Sequence, residues 1–146
     1  MSKPVQYLAR RIFNKGFDGV FYPHICINQV DTKKGFVECT MPTMHGNSTA
    51  FLTTLVDEIT GISCFAYNLG VFDFKNLFGV SISFDMAIKN REKLSGQVRI
   101  TSEITDKSDN LINCDCKIYD LESGELLASG THVKYLQHKK IATYKR

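Results

Sequence analysis

Between Met44 and Asn68, apolar residues recur at Phe51, Leu52, Leu55, Ile59, Ile62 and Ala66, and the series continues to Leu69. At ~100° of turn per residue these side chains fall on one broad helical face. Asn47 and Ser48 stand just before it as N-caps. Asp57 falls almost opposite the centre of that face, among Ala50, Thr53, Thr54, Thr60, Gly61 and Cys64. A solvent face would carry Lys, Arg and Glu at such positions. A back this small and nearly uncharged implies that something packs closely against it, and a carboxylate there is either paired or at work. The plainer reading is an Asp that is partly exposed and serves solubility alone.

The 146-residue chain has the size of one domain, 1–146, with 43% hydrophobic and 23% charged residues. A net charge of +3 suits a small anionic ligand and is too weak for a nucleic-acid footprint. No apolar run of ~18 residues predicts a membrane span. The five cysteines (Cys26, Cys39, Cys64, Cys114, Cys116) have neither framework nor zinc-site spacing. Reduced thiols in a cytoplasmic protein are expected, with no metal and no cofactor. Lys3, Arg10, Arg11 and Lys15 without an acid before Phe17 leave a mitochondrial transit peptide as the alternative. The stripe Val5, Leu8, Ile12 and Phe13 favours an N-terminal surface helix within 1–20 instead.

Two short strands are expected at His24–Val30 and Phe36–Met41, on either side of a turn ending at Gly35. The long helix follows, then an aromatic loop over 71–78. A half-buried strand from Val80 to Ile88 should place Val80, Ile82, Phe84, Met86 and Ile88 on one face and Ser81, Ser83, Asp85 and Ala87 on the other. Three further strands (Val98–Thr105, Leu111–Leu121, Leu126–Leu136) are separated by turns at 106–110 and 122–125, and a basic tail occupies 137–146. One long helix, apolar over more than half its circumference, has to be wrapped by a curved antiparallel sheet. This predicts an α+β hotdog fold, with the small-residue side of the helix turned to a second subunit.

Four segments carry a family resemblance in order: Thr54–Asp57 on the helix, Gly79-Val80-Ser81 on the long strand, Lys93–Gly96 at a turn, and Gly124–Lys134 on the last strand. The chain resembles the hotdog-fold acyl-CoA thioesterases of the thioesterase superfamily member 2 type and, more broadly, those of the phenylacetate pathway. The resemblance implies hydrolysis of fatty or aryl acyl-CoA, with coenzyme A entering only as part of the substrate. It implies Asp57 as general base or nucleophile and Ser81 as a residue that places the attacking water. A backbone N–H at the start of the helix, within a His-Gly-Gly motif, would polarise the thioester carbonyl. Counted back from Asp57, that motif falls on Ser48, Thr49 and Ala50, while His45-Gly46 lies three residues earlier. The family's upstream Asn falls on Pro42, with Asn47 as its possible replacement. A homodimer is implied as the minimum unit, with a tetramer as the common assembly.

The chemistry tolerates these departures, because an N–H in a helix's first turn is a donor whatever side chain it bears. Either Ser48-Thr49 or His45-Gly46 could supply it. Asn90, Arg91 and Lys93, with Lys89, cluster where the long strand turns and could hold CoA phosphates or be ordinary solvated charge. His132 reads as an ordinary strand residue. Two other functions stay open: a non-catalytic acyl-CoA or lipid binder with drifted oxyanion elements, and a hydratase, which would need a His paired with an acid.

Overall fold

A computed structural model describes residues 22–43, 48–68 and 77–138. After a 3-10 turn at Tyr22–His24 come β1 (Cys26–Asp31), β2 (Phe36–Pro42), the helix α1 (Thr49–Asn68), β3 (Leu77–Ile88), β4 (Gln97–Ser108), β5 (Leu111–Asp120) and β6 (Leu126–His138). The six strands form one antiparallel sheet in the order β1-β2-β4-β5-β6-β3. The expected N-terminal helix and His45, Gly46 and Asn47 lie outside the described residues.

Alternation along the strands selects the inner face. Val37, Cys39 and Met41 of β2, Val98 and Ile100 of β4, and Ile112, Cys114, Cys116 and Ile118 of β5 are buried. Against them pack Leu52, Leu55, Val56, Ile59, Ile62 and Ala66 of α1. Burying each large apolar side chain contributes roughly 1.5–3 kcal/mol, so the helix–sheet contact dominates the core. At 20 residues the helix is ~30 Å long. Ser48 caps it: its Oγ accepts the Phe51 N–H at 3.1 Å. Gly130 of β6 lets the helix come close, since a Cβ there would stand 3.0 Å from Val56 Cγ1 and 3.2 Å from the Asp85 carbonyl oxygen.

The structure corrects several expectations. β3 begins at Leu77, inside the segment read as loop, and β6 runs on through Gln137 and His138, which pair with Phe78 and Leu77. The β4–β5 hairpin is tighter than expected, because β4 continues to Ser108 and Asp109-Asn110 alone turn the chain, with Asp109 at φ 49°. The small-residue side of the helix is only partly open. Thr60, Gly61 and Cys64 are buried, which leaves Ala50, Thr53, Thr54 and Asp57 as its exposed or half-exposed part.

A bulge in β3 makes the last correction. Ser81 pairs with Lys134 and Ser83 with Val133, so Ile82 is an extra residue with no counterpart on β6. Strict alternation would put Ser81 on the outer face with Ser83. The extra residue turns it to the face of Phe84, while Val80 and Ile82 end up 46% and 60% exposed.

Candidate active site

His132 stands at the centre of the polar residues gathered between α1 and the sheet. Alternation along β6 turns it inward with Ala128, Gly130 and Leu136, and Phe84 of β3 and Cys114 of β5 lie directly across from it. It is 1% exposed, and the Phe84 ring meets its imidazole edge-on at 5.3 Å. Nδ1 lies 2.8 Å from Thr60 Oγ1, and Nε2 lies 2.8 Å from Ser81 Oγ.

The protons on this line can be placed by elimination. Thr60 Oγ1 lies 2.8 Å from the Val56 carbonyl oxygen and 3.0 Å from that of Asp57, and both can only accept. Its one proton therefore goes to the helix backbone, and toward His132 it can only accept. Nδ1 must then carry the ring proton, which leaves Nε2 as an acceptor for the Ser81 hydroxyl. The line runs one way, from Ser81 through His132 and Thr60 to the backbone of α1. Ser81 is left with its oxygen lone pairs directed to its exposed side. Burial, reinforced by the nearby Lys134 ammonium and opposed by Asp57, pushes the His132 pKa down to about 4, so the ring is neutral at pH 7.

Asp57 is half exposed, with 50% of its side chain accessible. Lys134, largely buried on the inner face of β6, donates to Asp57 Oδ1 at 3.1 Å and to its carbonyl oxygen at 3.3 Å. The same Oδ1 lies 3.6 Å from His132 Nδ1, too far for a hydrogen bond and, with a neutral ring, not an ion pair. Asp57 is thus neither buried nor idle: Lys134 holds it beside the His132 line with one edge open to water. Asp57 lies near Nδ1 of His132 and Ser81 at its Nε2, and His132, Thr60 and Lys134 are the members that sequence reasoning missed. The available signal was the period-two placement of His132 and Lys134 on the same face as Ala128 and Leu136, where ionisable groups need partners.

The residues picked out near the helix start and the basic turn form a second group. Arg91 Nη2 donates to Thr49 Oγ1 at 3.1 Å, which ties the turn to the first residue of α1. Lys93 pairs with Glu125, which also accepts from Asn90 Nδ2 at 3.1 Å. The Lys93 ion pair holds the Glu125 carboxyl below its ordinary pKa. Ser48 serves as the cap described above. Among the described residues no group of three or more His, Cys, Asp or Glu is placed to hold a metal, and no helix is long and apolar enough to cross a membrane.

No family model and no curated protein match the sequence. Solved structures do. Thioesterase superfamily member 2 from Mus musculus superposes with a TM-score of 0.75 at 21% identity, over 92% of this chain and 98% of that one. The zebra fish thioesterase superfamily member 2 gives 0.75 at 22%, over 91% and 96%. A hypothetical thioesterase protein with coenzyme A from Streptococcus pneumoniae gives 0.65 at 18%, over 81% and 89%. These likenesses confirm the hotdog fold.

The neutral His132 has a measurable consequence. Between pH 6.5 and about 4 an unfolded chain protonates this histidine and the folded one does not. Its contribution to stability is therefore complete above pH 6.5, falls as the pH drops toward 4, and changes no further below that. In urea titrations across this range, His132→Gln should lose less stability than the wild type between pH 6.5 and 4, by roughly 1–3 kcal/mol. Equal losses would mean that the imidazole is protonated in the folded protein.

Proposed function

We propose that this chain is an acyl-CoA thioesterase, hydrolysing a fatty or aryl acyl-CoA to the free acid and CoA. The observation that carries the reading is the half-open Asp57 carboxylate, held by Lys134 beside the Ser81–His132–Thr60 line. The hotdog fold, shared with a thioesterase protein solved with coenzyme A, supports the substrate class.

A thioester is an activated acyl group, so a carboxylate suffices to draw a proton from water. In this mechanism Asp57 takes that proton while the water oxygen bonds to the carbonyl carbon. Ser81, its own proton committed to His132, accepts the water's second hydrogen and so orients the attacking lone pair. The C–S bond then breaks, and the thiolate of CoA recovers a proton from Asp57. With Asp57 as nucleophile, an acyl-carboxylate anhydride forms first and water hydrolyses it. His132 touches no reacting atom in either route; it is a positioning residue for Ser81. Backbone N–H groups at Ser48-Thr49 or at His45-Gly46 polarise the carbonyl, where the helix dipole favours the oxyanion. Arg91 and Lys93, with Asn90 and Asn47, contact the CoA portion.

Asp57 lies nine residues beyond Ser48, about 13 Å along one continuous helix, so base and oxyanion donor on one chain do not reach the same thioester. A second copy completes the site, which makes a dimer the working unit and a tetramer its further assembly. β3 is the edge that suits it: 12 residues long, one side without a strand neighbour among the described residues, and apolar at Val80 and Ile82.

Three measurements test this reading. Asp57→Asn should lower thiol release from a panel of acyl-CoAs by about 10²–10⁴-fold, and Ser81→Ala by less. Turnover within about threefold of wild type, with a changed melting temperature, would give Asp57 a structural role. If wild type is inactive as well, the non-catalytic acyl-CoA binder becomes the better reading. Arg91→Ala should raise KM with little change in kcat, and the effect should shrink at high salt. Adding Lys93→Ala should deepen it only slightly, because Lys93 is already paired with Glu125. Light scattering at micromolar concentration should give at least a dimer mass, and Val80→Lys with Ile82→Lys should yield monomers without thioesterase activity.

A further inference from the structure

One turn along α1 from the Thr60–His132 contact, Cys64 Sγ lies 3.5 Å from Cys114 Sγ of β5. Both are buried, in a cluster with Ile112 and Leu136. Cys114 is the direct cross-strand neighbour of His132. Helix and sheet are thus joined at two adjacent points, by Thr60 to His132 and by Cys64 to Cys114. We propose that Cys64 and Cys114 are an oxidisable dithiol, which hydrogen peroxide converts to a disulfide that locks α1 to β5 beside His132.

The two thiols are not equivalent. The Cys114 thiol, donating to Cys64, lowers the pKa of Cys64 and outweighs the effect of burial, and Lys134 adds to this; Cys114 itself is pushed up. Cys64 is therefore the sulfur that attacks peroxide. Its thiolate bonds to one peroxide oxygen as the O–O bond breaks. The departing hydroxide takes a proton to become water, and Cys64 is left oxidised as the sulfenic acid. Cys114 then attacks that sulfur: the S–S bond forms, the S–O bond breaks, and the leaving hydroxide takes the Cys114 proton as a second water. Cys39 and Cys116 are also buried, and burial pushes both thiols up, Cys116 to about 12. They stay reduced.

A disulfide requires about 2.05 Å between sulfurs, so closure draws the helix turn and β5 together by about 1.5 Å next to His132. A displacement of that size at a positioned site costs on the order of 10²-fold in rate. This effect on turnover rests on the thioesterase reading; the disulfide itself does not.

The test is to treat the wild-type protein with hydrogen peroxide, alkylate, digest and map the peptides. A Cys64–Cys114 linked peptide, 2 mass units below the dithiol and lost on reduction, is expected. In Cys114→Ala, which lacks both the second sulfur and the thiol that lowers the Cys64 pKa, peroxide should leave Cys64 alkylatable once the protein is unfolded. Peroxide that leaves both thiols alkylatable in unfolded wild type, or that consumes Cys64 equally in Cys114→Ala, would overturn the proposal. Acyl-CoA turnover of the oxidised wild type should fall at least tenfold and return with dithiothreitol, while Cys114→Ala loses the dithiothreitol-reversible component. Unchanged turnover in protein shown to carry the link would overturn the effect on the site. No turnover before oxidation would instead count against the thioesterase reading, and the linked peptide would still decide the dithiol.

Discussion

The structure depends on hiding one helix on almost every side. From Leu55 to Cys64 each residue of α1 except Asp57 is buried, and no flat sheet could achieve that. The six strands must curl, and Gly130 lets the helix settle against β6 where a side chain would hold it off. The exception is the informative residue. A carboxylate in the middle of a buried helix either breaks the packing or sits where the wrap stops. Asp57 sits at that limit, with Lys134 on one side and solvent on the other.

Polar groups in such a place need partners, and the direction of the bonds along the Ser81–His132–Thr60 line follows from two backbone carbonyls, those of Val56 and Asp57. Because the Thr60 proton is committed to the helix, the His132 tautomer is settled, and with it the orientation of the Ser81 hydroxyl. The helix backbone thereby determines what a side chain on the far edge of the sheet offers to solvent. An imidazole held neutral by burial suits this role, because a protonated ring would donate at both nitrogens and reverse the Ser81 hydrogen bond.

Much of this was legible in the sequence. The helix, the succession of strands along the chain and the departure of Asp57 from the apolar pattern follow from periodicities that burial imposes directly. Ser81 was identified by its likeness to a motif and assigned to the wrong face, because alternation assumes an unbroken strand and the break at Ile82 has no signature in composition. His132 was passed over because its partners, Thr60 and Ser81, lie 72 and 51 residues away. Contacts of that separation depend on register, which is fixed only once the sheet has closed. The Cys64–Cys114 approach, 50 residues apart, was hidden for the same reason.

The bulge in β3 also shapes how this site can change through descent. Most single-codon substitutions at Ile82 leave the reading of the strand intact, since its side chain points outward and is 60% exposed. Deleting that one codon would close the bulge and leave Ser81 opposite Lys134, two places before Phe84 and still on the face of His132. What the deletion would remove is the local bend and extra twist that a bulge gives its strand. The side that the serine faces is therefore set by its pairing with Lys134, and the extra residue adjusts only how it is aimed. Lineages bearing this site should tolerate a one-residue gap at position 82 more readily than a second insertion there, which would shift Ser81 out of that pairing.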